Sequence, residues 1–131
     1  MNPLAEPPLR ILEDARRLQE TAGFRFTLSL SGIEHDAFAV RFRGVIRAWI
    51  NCCRHLSLPL DFGDAHFFDE ACDAMVCCHH GARYDPLSGL CVDGPCRGAR
   101  LAALEVELRG HELWCVGRPA DPPAAEPGSL V

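Results

Sequence analysis

The chain alternates between apolar and polar residues in its N-terminal third. From residue 24 to residue 30, large apolar side chains occupy every second position, and Arg25, Thr27 and Ser29 lie between them. Successive side chains of a strand point to opposite faces of a sheet, so this pattern predicts a half-buried strand.

The next segment, residues 38–51 with the sequence "FAVRFRGVIRAWIN", predicts a hairpin. Phe38, Val40 and Phe42 fall on one face, and Gly44 provides the break between the two arms. The second arm alternates in the same way, with one face formed by Ile46, Ala48 and Ile50.

A second hairpin is predicted near the end of the chain. Leu104, Val106 and Leu108 alternate with glutamates, "RGHE" turns the chain, and "LWCV" returns it. These elements predict an all-β fold, an antiparallel sandwich or incomplete barrel, with an irregular middle at about residues 52–98 inserted between its hairpins.

The two ends of the chain are less regular. The N-terminal "RILEDARRLQ" fits a short helix, yet it is also compatible with the start of a strand. The tail, residues 118–131, is rich in proline and alanine and is predicted to be disordered. We therefore expect a single domain over residues 1–117, which is an ordinary size for one hydrophobic core.

The irregular middle contains most of the metal-binding residue types. Residues 52–98 hold seven of the eight cysteines and four of the six histidines. A long irregular segment in a compact domain needs something else to order it, and a bound cofactor would do so. No apolar run approaches the roughly 20 residues that cross a bilayer, and no signal peptide is recognisable. We therefore expect a cytoplasmic protein, in which metal explains the cysteines better than disulfides do.

Two short pairs of cysteine and histidine frame this middle. Cys53 and His55 form the first pair, Cys77 and His80 form the second, and twenty-one residues separate His55 from Cys77. Zinc fingers and ribbons usually group like ligands together, so mixed pairs are less typical of them. Mixed pairs suit a [2Fe–2S] cluster in which neutral imidazoles replace two thiolates, a change that raises the reduction potential.

The chain here resembles the Rieske [2Fe–2S] proteins, through "CRH" at 53–55, "CCHHGARYD" at 77–85 and "GP" at 94–95. The resemblance covers roughly residues 9–117. It implies that two thiolates hold the inner iron and two imidazoles the outer iron, and it identifies the irregular middle as the cluster-binding subdomain. The four implied ligands, by position, are Cys53, Cys77, His55 and His80.

The resemblance also implies roles for residues around the ligands. Gly81 lets the second ligand loop turn tightly, and Gly94 and Pro95 belong to a loop that covers the cluster. Tyr84 matches a tyrosine whose hydroxyl donates a hydrogen bond to a ligand cysteine. Because Ala82 replaces a serine that donates to a cluster sulfur, we expect a potential in the lower half of the roughly −150 to +300 mV Rieske span.

The chain departs from the respiratory Rieske proteins. Their two ligand loops are joined by a disulfide, and the matching positions here are Leu58 and His79, so the chain resembles the soluble, ferredoxin-like branch. Cys91 and Cys96 flank the covering loop, and the sequence leaves open whether they are bridged. Cys72 is expected in the core.

The function implied is a one-electron carrier, and not an enzyme, between a reductase and an acceptor such as an oxygenase. No nucleotide-binding glycine pattern and no Ser/His/Asp arrangement is present. A small Rieske-like accessory subunit of a larger redox enzyme, of the nitrite reductase type, is an alternative, and a structural zinc module is a third. The net charge of −5 argues against nucleic acid as a partner. The acidic residues between the ligand pairs suit either a docking face or a solvated loop, and they are Asp61, Asp64, Asp69 and Glu70.

Overall fold

The computed structural model describes residues 6–54, 57–79 and 81–119. Within these residues the protein has nine β-strands and one turn of 3₁₀-helix, η1, at Ala15–Arg17. The strands are β1 (Leu9–Leu12), β2 (Gly23–Leu30), β3 (Ile33–Phe42), β4 (Val45–Ile50), β5 (Met75–Val76), β6 (Arg83–Tyr84), β7 (Cys91–Asp93), β8 (Ala103–Arg109) and β9 (Glu112–Gly117).

Six strands form one antiparallel sheet with the order β1-β9-β8-β4-β3-β2. β1 and β2 lie at its two ends, and side chains from all six strands form a shared core, so the sheet is an incomplete barrel.

The predicted all-β fold and both predicted hairpins are confirmed. The ambiguous N-terminal segment is a short strand followed by η1, and most of the tail predicted to be disordered, residues 120–131, lies outside the described residues.

The first two hairpins turn through two residues with positive φ. These residues are Ser31 and Gly32 between β2 and β3, and Arg43 and Gly44 between β3 and β4. Two positive φ angles in a two-residue loop are the mark of the type I′ turn, whose twist matches that of the strands it joins. The break predicted at Gly44 is therefore a tight turn.

The β3–β4 hairpin is buried on both of its faces. Ala37 and Ala39 face the barrel core, whereas Phe38, Val40 and Trp49 face a second core. Because side chains alternate along a strand, one hairpin supplies a wall to each core. On β3, alanines face the barrel, and larger residues face the second core.

The second core belongs to the inserted subdomain, residues 51–102. Its own sheet has only three short strands, in the order β5-β6-β7. The Phe67 ring stacks on Phe38 of β3 with 3.9 Å between the ring centroids. Gly89 lies so close to Trp49 that a Cβ at this position would be 2.6 Å from the indole ring. The subdomain is thus packed directly on the outer face of β3 and β4.

In the described part of the chain, no helix has the length and apolar character needed to cross a membrane.

Candidate metal centre

Two loops of the inserted subdomain each contribute a buried cysteine. Cys53 lies just after β4 and Cys77 just after β5; each is 2% exposed, and both belong to the subdomain core. Their predicted partners His55 and His80 lie outside the described residues. The structure therefore describes the cysteine half of the predicted ligand set.

The first loop closes on itself through its backbone. The N–H of Cys53 donates to the carbonyl of Leu58 at 2.7 Å, and the N–H of Ser57 donates to the carbonyl of Cys53 at 2.8 Å. Ser57 adopts a left-handed conformation with φ of 57°. These two hydrogen bonds tie Ser57 and Leu58 back to Cys53.

The second loop repeats this pattern of hydrogen bonds. The N–H of Cys77 donates to the carbonyl of Ala82 at 2.9 Å, and the N–H of Gly81 donates to the carbonyl of Cys77 at 3.0 Å. Gly81 has φ of 74° and occupies the position that Ser57 has in the first loop. Glycine adopts this conformation without steric cost, which accounts for the predicted tight turn. Cys53 and Cys77 are therefore equivalent residues of two matching loops.

The second loop is also joined to the segment that follows the first loop. The N–H of Cys78 donates to the carbonyl of Leu60 at 2.8 Å. Cys78 is only half-buried, and burial raises the pKa of its thiol. The residue next to the buried Cys77 thus connects the second loop to this segment through its backbone.

Tyr84 places its hydroxyl beside the first cysteine. The hydroxyl oxygen lies 3.3 Å from Cys53 Sγ and 3.1 Å from Cys96 Sγ, and it accepts the N–H of Arg54 at 3.0 Å. Burial, together with the contacts to Cys53 and Cys96, raises the pKa of Tyr84. The hydroxyl therefore keeps its proton and has a hydrogen to donate to sulfur.

The loop that the sequence predicted to cover a cluster, here named the covering loop, follows β7. Gly94 has φ of 102°, and a Cβ there would lie 2.9 Å from the Cα of Ala82 in the second loop. Any side chain at residue 94 would push the covering loop away, so glycine is required by both conformation and contact. Pro95 is exposed at the surface of the subdomain.

A buried polar network that we did not predict supports the first loop. Asn51 accepts the N–H of Leu60 at 2.8 Å and donates to Asp61 at 3.1 Å. Asp61 also accepts the N–H of Ala65 at 2.9 Å, and its side chain lies 3.3 Å from the guanidinium of Arg25. The sequence contained one signal for this network. Asn51 lies two positions after Trp49 and so falls on the face that points toward the subdomain core, where a buried polar side chain needs hydrogen-bond partners.

Some expectations for individual residues were wrong. Cys72 was expected in the core and is exposed. Asp61 is buried and cannot belong to a docking face, and Asp69 is paired with Arg83 at 2.8 Å. The sequence left open whether Cys91 and Cys96 are bridged; here both are thiols, and their sulfurs are 3.2 Å apart.

The described donors fit a cluster of the predicted kind. Within residues 6–54, 57–79 and 81–119, no three histidine, cysteine or acidic side chains are grouped so as to hold a metal ion, but two of the four predicted ligands lie outside those ranges. Cys53 and Cys77 offer buried thiols from matching loops, and Tyr84 offers a hydrogen-bond donor to sulfur. Buried thiolates with hydrogen bonds to sulfur are typical of iron–sulfur sites.

Comparisons with known proteins point to one family. The family model of the Rieske [2Fe-2S] domain matches residues 14–109. The chain is similar to the ferredoxin of carbazole 1,9a-dioxygenase from Nocardioides aromaticivorans IC177, with a TM-score of 0.66 and 23% identity, covering 85% of this chain and 98% of that one. It is similar to the terminal oxygenase of carbazole 1,9a-dioxygenase from Novosphingobium sp. KA1, with a TM-score of 0.69 and 17% identity, covering 93% of this chain and 32% of that one.

A third similar structure is a complex of reduced oxygenase and oxidized ferredoxin in carbazole 1,9a-dioxygenase. Its TM-score is 0.67 at 22% identity, covering 87% of this chain and 96% of that one. A comparison with curated proteins found no match. At these identities the structural likeness establishes the fold.

Proposed function

Because the chain belongs to the Rieske [2Fe-2S] domain family, we propose that it is a one-electron carrier. The family implies a [2Fe–2S] cluster, and the ligands that we propose for it are Cys53, Cys77, His55 and His80. Such a cluster supplies reversible transfer of single electrons, and its imidazole ligands raise the potential above that of all-cysteine clusters.

The observation that carries this proposal is the equivalence of the two ligand loops. Each loop begins with a buried cysteine and closes with the same pair of backbone hydrogen bonds. This arrangement favours Cys77 over its neighbour Cys78, because only Cys77 has the position that Cys53 has in the first loop. Two equivalent thiols, one from each loop, are suited to bind the same iron atom.

Each surrounding residue has a separate task in this carrier. Cys53 and Cys77 would hold the inner iron away from water, and the Tyr84 hydroxyl would donate a hydrogen bond to the sulfur of Cys53. A hydrogen bond to sulfur stabilises the more negative, reduced state, so Tyr84 raises the potential. Gly94 lets the covering loop approach Ala82, and we propose that this loop excludes water from that side of the cluster. Since Ala82 has no hydroxyl to donate, we expect a potential in the lower half of the Rieske span.

We propose a reductase as electron donor and an oxygenase-type enzyme as acceptor. This rests on the relatives, since one similar structure is a ferredoxin bound to an oxygenase, and the chain covers 98% of a ferredoxin of the same kind. The carrier role places catalysis on the partner. We further propose that the protein works in the cytoplasm, where a reducing environment keeps cysteines as thiols.

Protein purified without oxygen provides the test. We expect two iron atoms and two sulfides per chain. We also expect, after reduction with dithionite, a rhombic EPR signal whose average g value lies below that of all-cysteine ferredoxins. Zinc without sulfide would contradict the proposal and leave the structural zinc module. A cluster that accepts no electrons from any ferredoxin reductase would favour the accessory subunit.

A further inference from the structure

The subdomain contains a second pair of sulfurs besides the proposed ligands. Cys91 is the first residue of β7, Cys96 follows the Gly94–Pro95 turn, and their Sγ atoms lie 3.2 Å apart. A disulfide bond is about 2.05 Å long, so the sulfurs need to approach by only about 1.2 Å to bond. The two thiols are therefore already neighbours, five positions apart in the chain.

The backbone around this pair is held in place. The N–H of Cys91 donates to the carbonyl of Ala99 at 2.7 Å, and the N–H of Gly98 donates to the carbonyl of Cys91 at 3.0 Å. The N–H of Ala99 also donates to the carbonyl of Cys96 at 2.9 Å. Because these bonds close the loop behind both cysteines, the sulfurs can meet through side-chain rotation while the loop keeps its shape.

The two thiols differ in access to solvent. Cys91 is 1% exposed, and its Sγ donates to the carbonyl of Asp93 at 3.2 Å, whereas Cys96 is partly exposed. Burial and the contact with Cys96 raise the pKa of Cys91 to about 11. Cys96 is therefore the thiol that an external disulfide can reach first, and Cys91 is the sheltered thiol that resolves the intermediate.

We propose that Cys91 and Cys96 form a second redox site, a dithiol that closes to an internal disulfide by exchange with a small-molecule disulfide such as glutathione disulfide. The Cys96 thiolate attacks one glutathione sulfur, which breaks the glutathione S–S bond and releases one glutathione thiolate. Cys91 then gives up its proton and attacks the Cys96 sulfur, releasing the second glutathione. Two protein thiols are oxidised, and one glutathione disulfide is reduced to two glutathiones.

Tyr84 connects this pair to the first ligand loop. Its hydroxyl lies between Cys96 Sγ and Cys53 Sγ, at 3.1 and 3.3 Å. Bonding to Cys91 moves the Cys96 sulfur and removes its S–H, so the hydroxyl has a different neighbour on one side. We expect this to change the hydrogen bond that Cys53 receives. This coupling rests on the proposed ligand role of Cys53, but formation of the disulfide does not.

The sequence allows a direct test, because the tryptic peptide Tyr84–Arg97 contains both cysteines and no other. Holoprotein is equilibrated without oxygen in buffers of reduced and oxidised glutathione and is then alkylated under denaturing conditions. The alkylated protein is digested with trypsin, and the peptide masses are measured by mass spectrometry. We expect this peptide to carry two labels under reducing conditions. Under oxidising conditions it should carry none and be lighter by two hydrogens than the unlabelled dithiol peptide. Two labels at every ratio, or a glutathione adduct on Cys96 that never resolves, would overturn the disulfide.

Variants separate the disulfide from its coupling to the cluster. The Cys96→Ser variant should abolish the internal disulfide, and Cys72→Ser, which removes an exposed cysteine elsewhere in the subdomain, should leave it intact. The reduction potential of the cluster should differ between the dithiol and disulfide forms of the wild type and of Cys72→Ser. It should not respond to glutathione in Cys96→Ser.

Equal potentials in the two wild-type forms would overturn the coupling. If the labelling result holds but the protein contains no iron–sulfur cluster, the proposed function fails while the disulfide stands. The two proposals therefore fail in different ways.

Discussion

The barrel and the inserted subdomain are built from different kinds of interaction. The barrel strands are four to ten residues long and are joined largely by hairpins, whereas the subdomain strands have two or three residues each. The barrel thus satisfies its backbone mainly through strand pairing. The subdomain relies on closed loops, on side chains that bond to backbone, and on packing against β3 and β4. The strand pairing of the barrel can form without a cofactor. The structure of the subdomain depends instead on a few individual residues.

The largest expected effect comes from removing one proposed ligand. In the Cys77→Ala variant we expect bound iron to fall to background and the loops of the subdomain to become sensitive to protease, because one iron loses a thiolate that alanine cannot replace. The far-UV circular dichroism of the barrel should persist. Iron analysis and limited proteolysis check this, with Cys72→Ala as control. Full iron content in the Cys77 variant would rule out its ligand role.

A substitution in the barrel core is expected to lower the stability of both regions by a large amount. Leu113 is 1% exposed, so Leu113→Ala should lower the free energy of unfolding by about 2–5 kcal/mol. Its cross-strand partner Leu108 is 61% exposed, and Leu108→Ala should change this free energy by only about 0.5 kcal/mol. Denaturant unfolding measures both. If the two variants were equally stable, the barrel core would not be the main source of stability.

An intermediate effect confined to the subdomain is expected from Asn51. Asn51→Ala leaves the N–H of Leu60 and one oxygen of Asp61 without their buried partner, which costs about 1–3 kcal/mol. Iron release to a chelator should therefore be faster, because the loop that begins at Cys53, a proposed ligand, opens more often. Glu70→Ala, at an exposed position of the subdomain, is the control. An unchanged release rate would show that the network does not hold the loop.

The smallest effect is expected from Tyr84→Phe, which removes one hydroxyl and keeps the ring. The potential should fall by up to about 65 mV, since a net hydrogen bond is worth about 0.5–1.5 kcal/mol and a tenfold change corresponds to about 59 mV for one electron. A redox titration measures the shift. Val92→Ala, exposed on β7, should leave the potential unchanged. A higher potential in Tyr84→Phe would mean that the hydroxyl does not donate to sulfur.

The sequence predicted the barrel well because its strands obey a local rule. The alternation of Phe38, Val40 and Phe42 and the break at Gly44 appear in the structure as predicted. What the alternation left out was the second buried face, where Ala37 and Ala39 lie. Alanine is neither strongly apolar nor polar, so its burial depends on what packs against it.

The subdomain was less predictable because its residues are held by contacts between distant positions. Asp61 looked like a surface carboxylate, yet its side chain is buried between Asn51, Ala65 and Arg25. Cys72 looked like a core residue, yet it is exposed in a turn with φ of 59°. Without regular periodicity, residue type alone does not say which side of an irregular loop faces inward.

The sequence by itself determined the all-β architecture, the hairpins and the identity of the residues proposed to hold a cluster, because alternation and ligand spacing are local properties of the chain. Only the tertiary structure decided that the loops beginning at Cys53 and Cys77 share one hydrogen-bond pattern and that Asn51 supports the first of them. It also decided that the Tyr84 hydroxyl, expected beside a ligand cysteine, contacts Cys96 as well as Cys53, and that Cys91 lies next to Cys96. These relations depend on how an irregular segment folds back on itself, and no local pattern encodes that path.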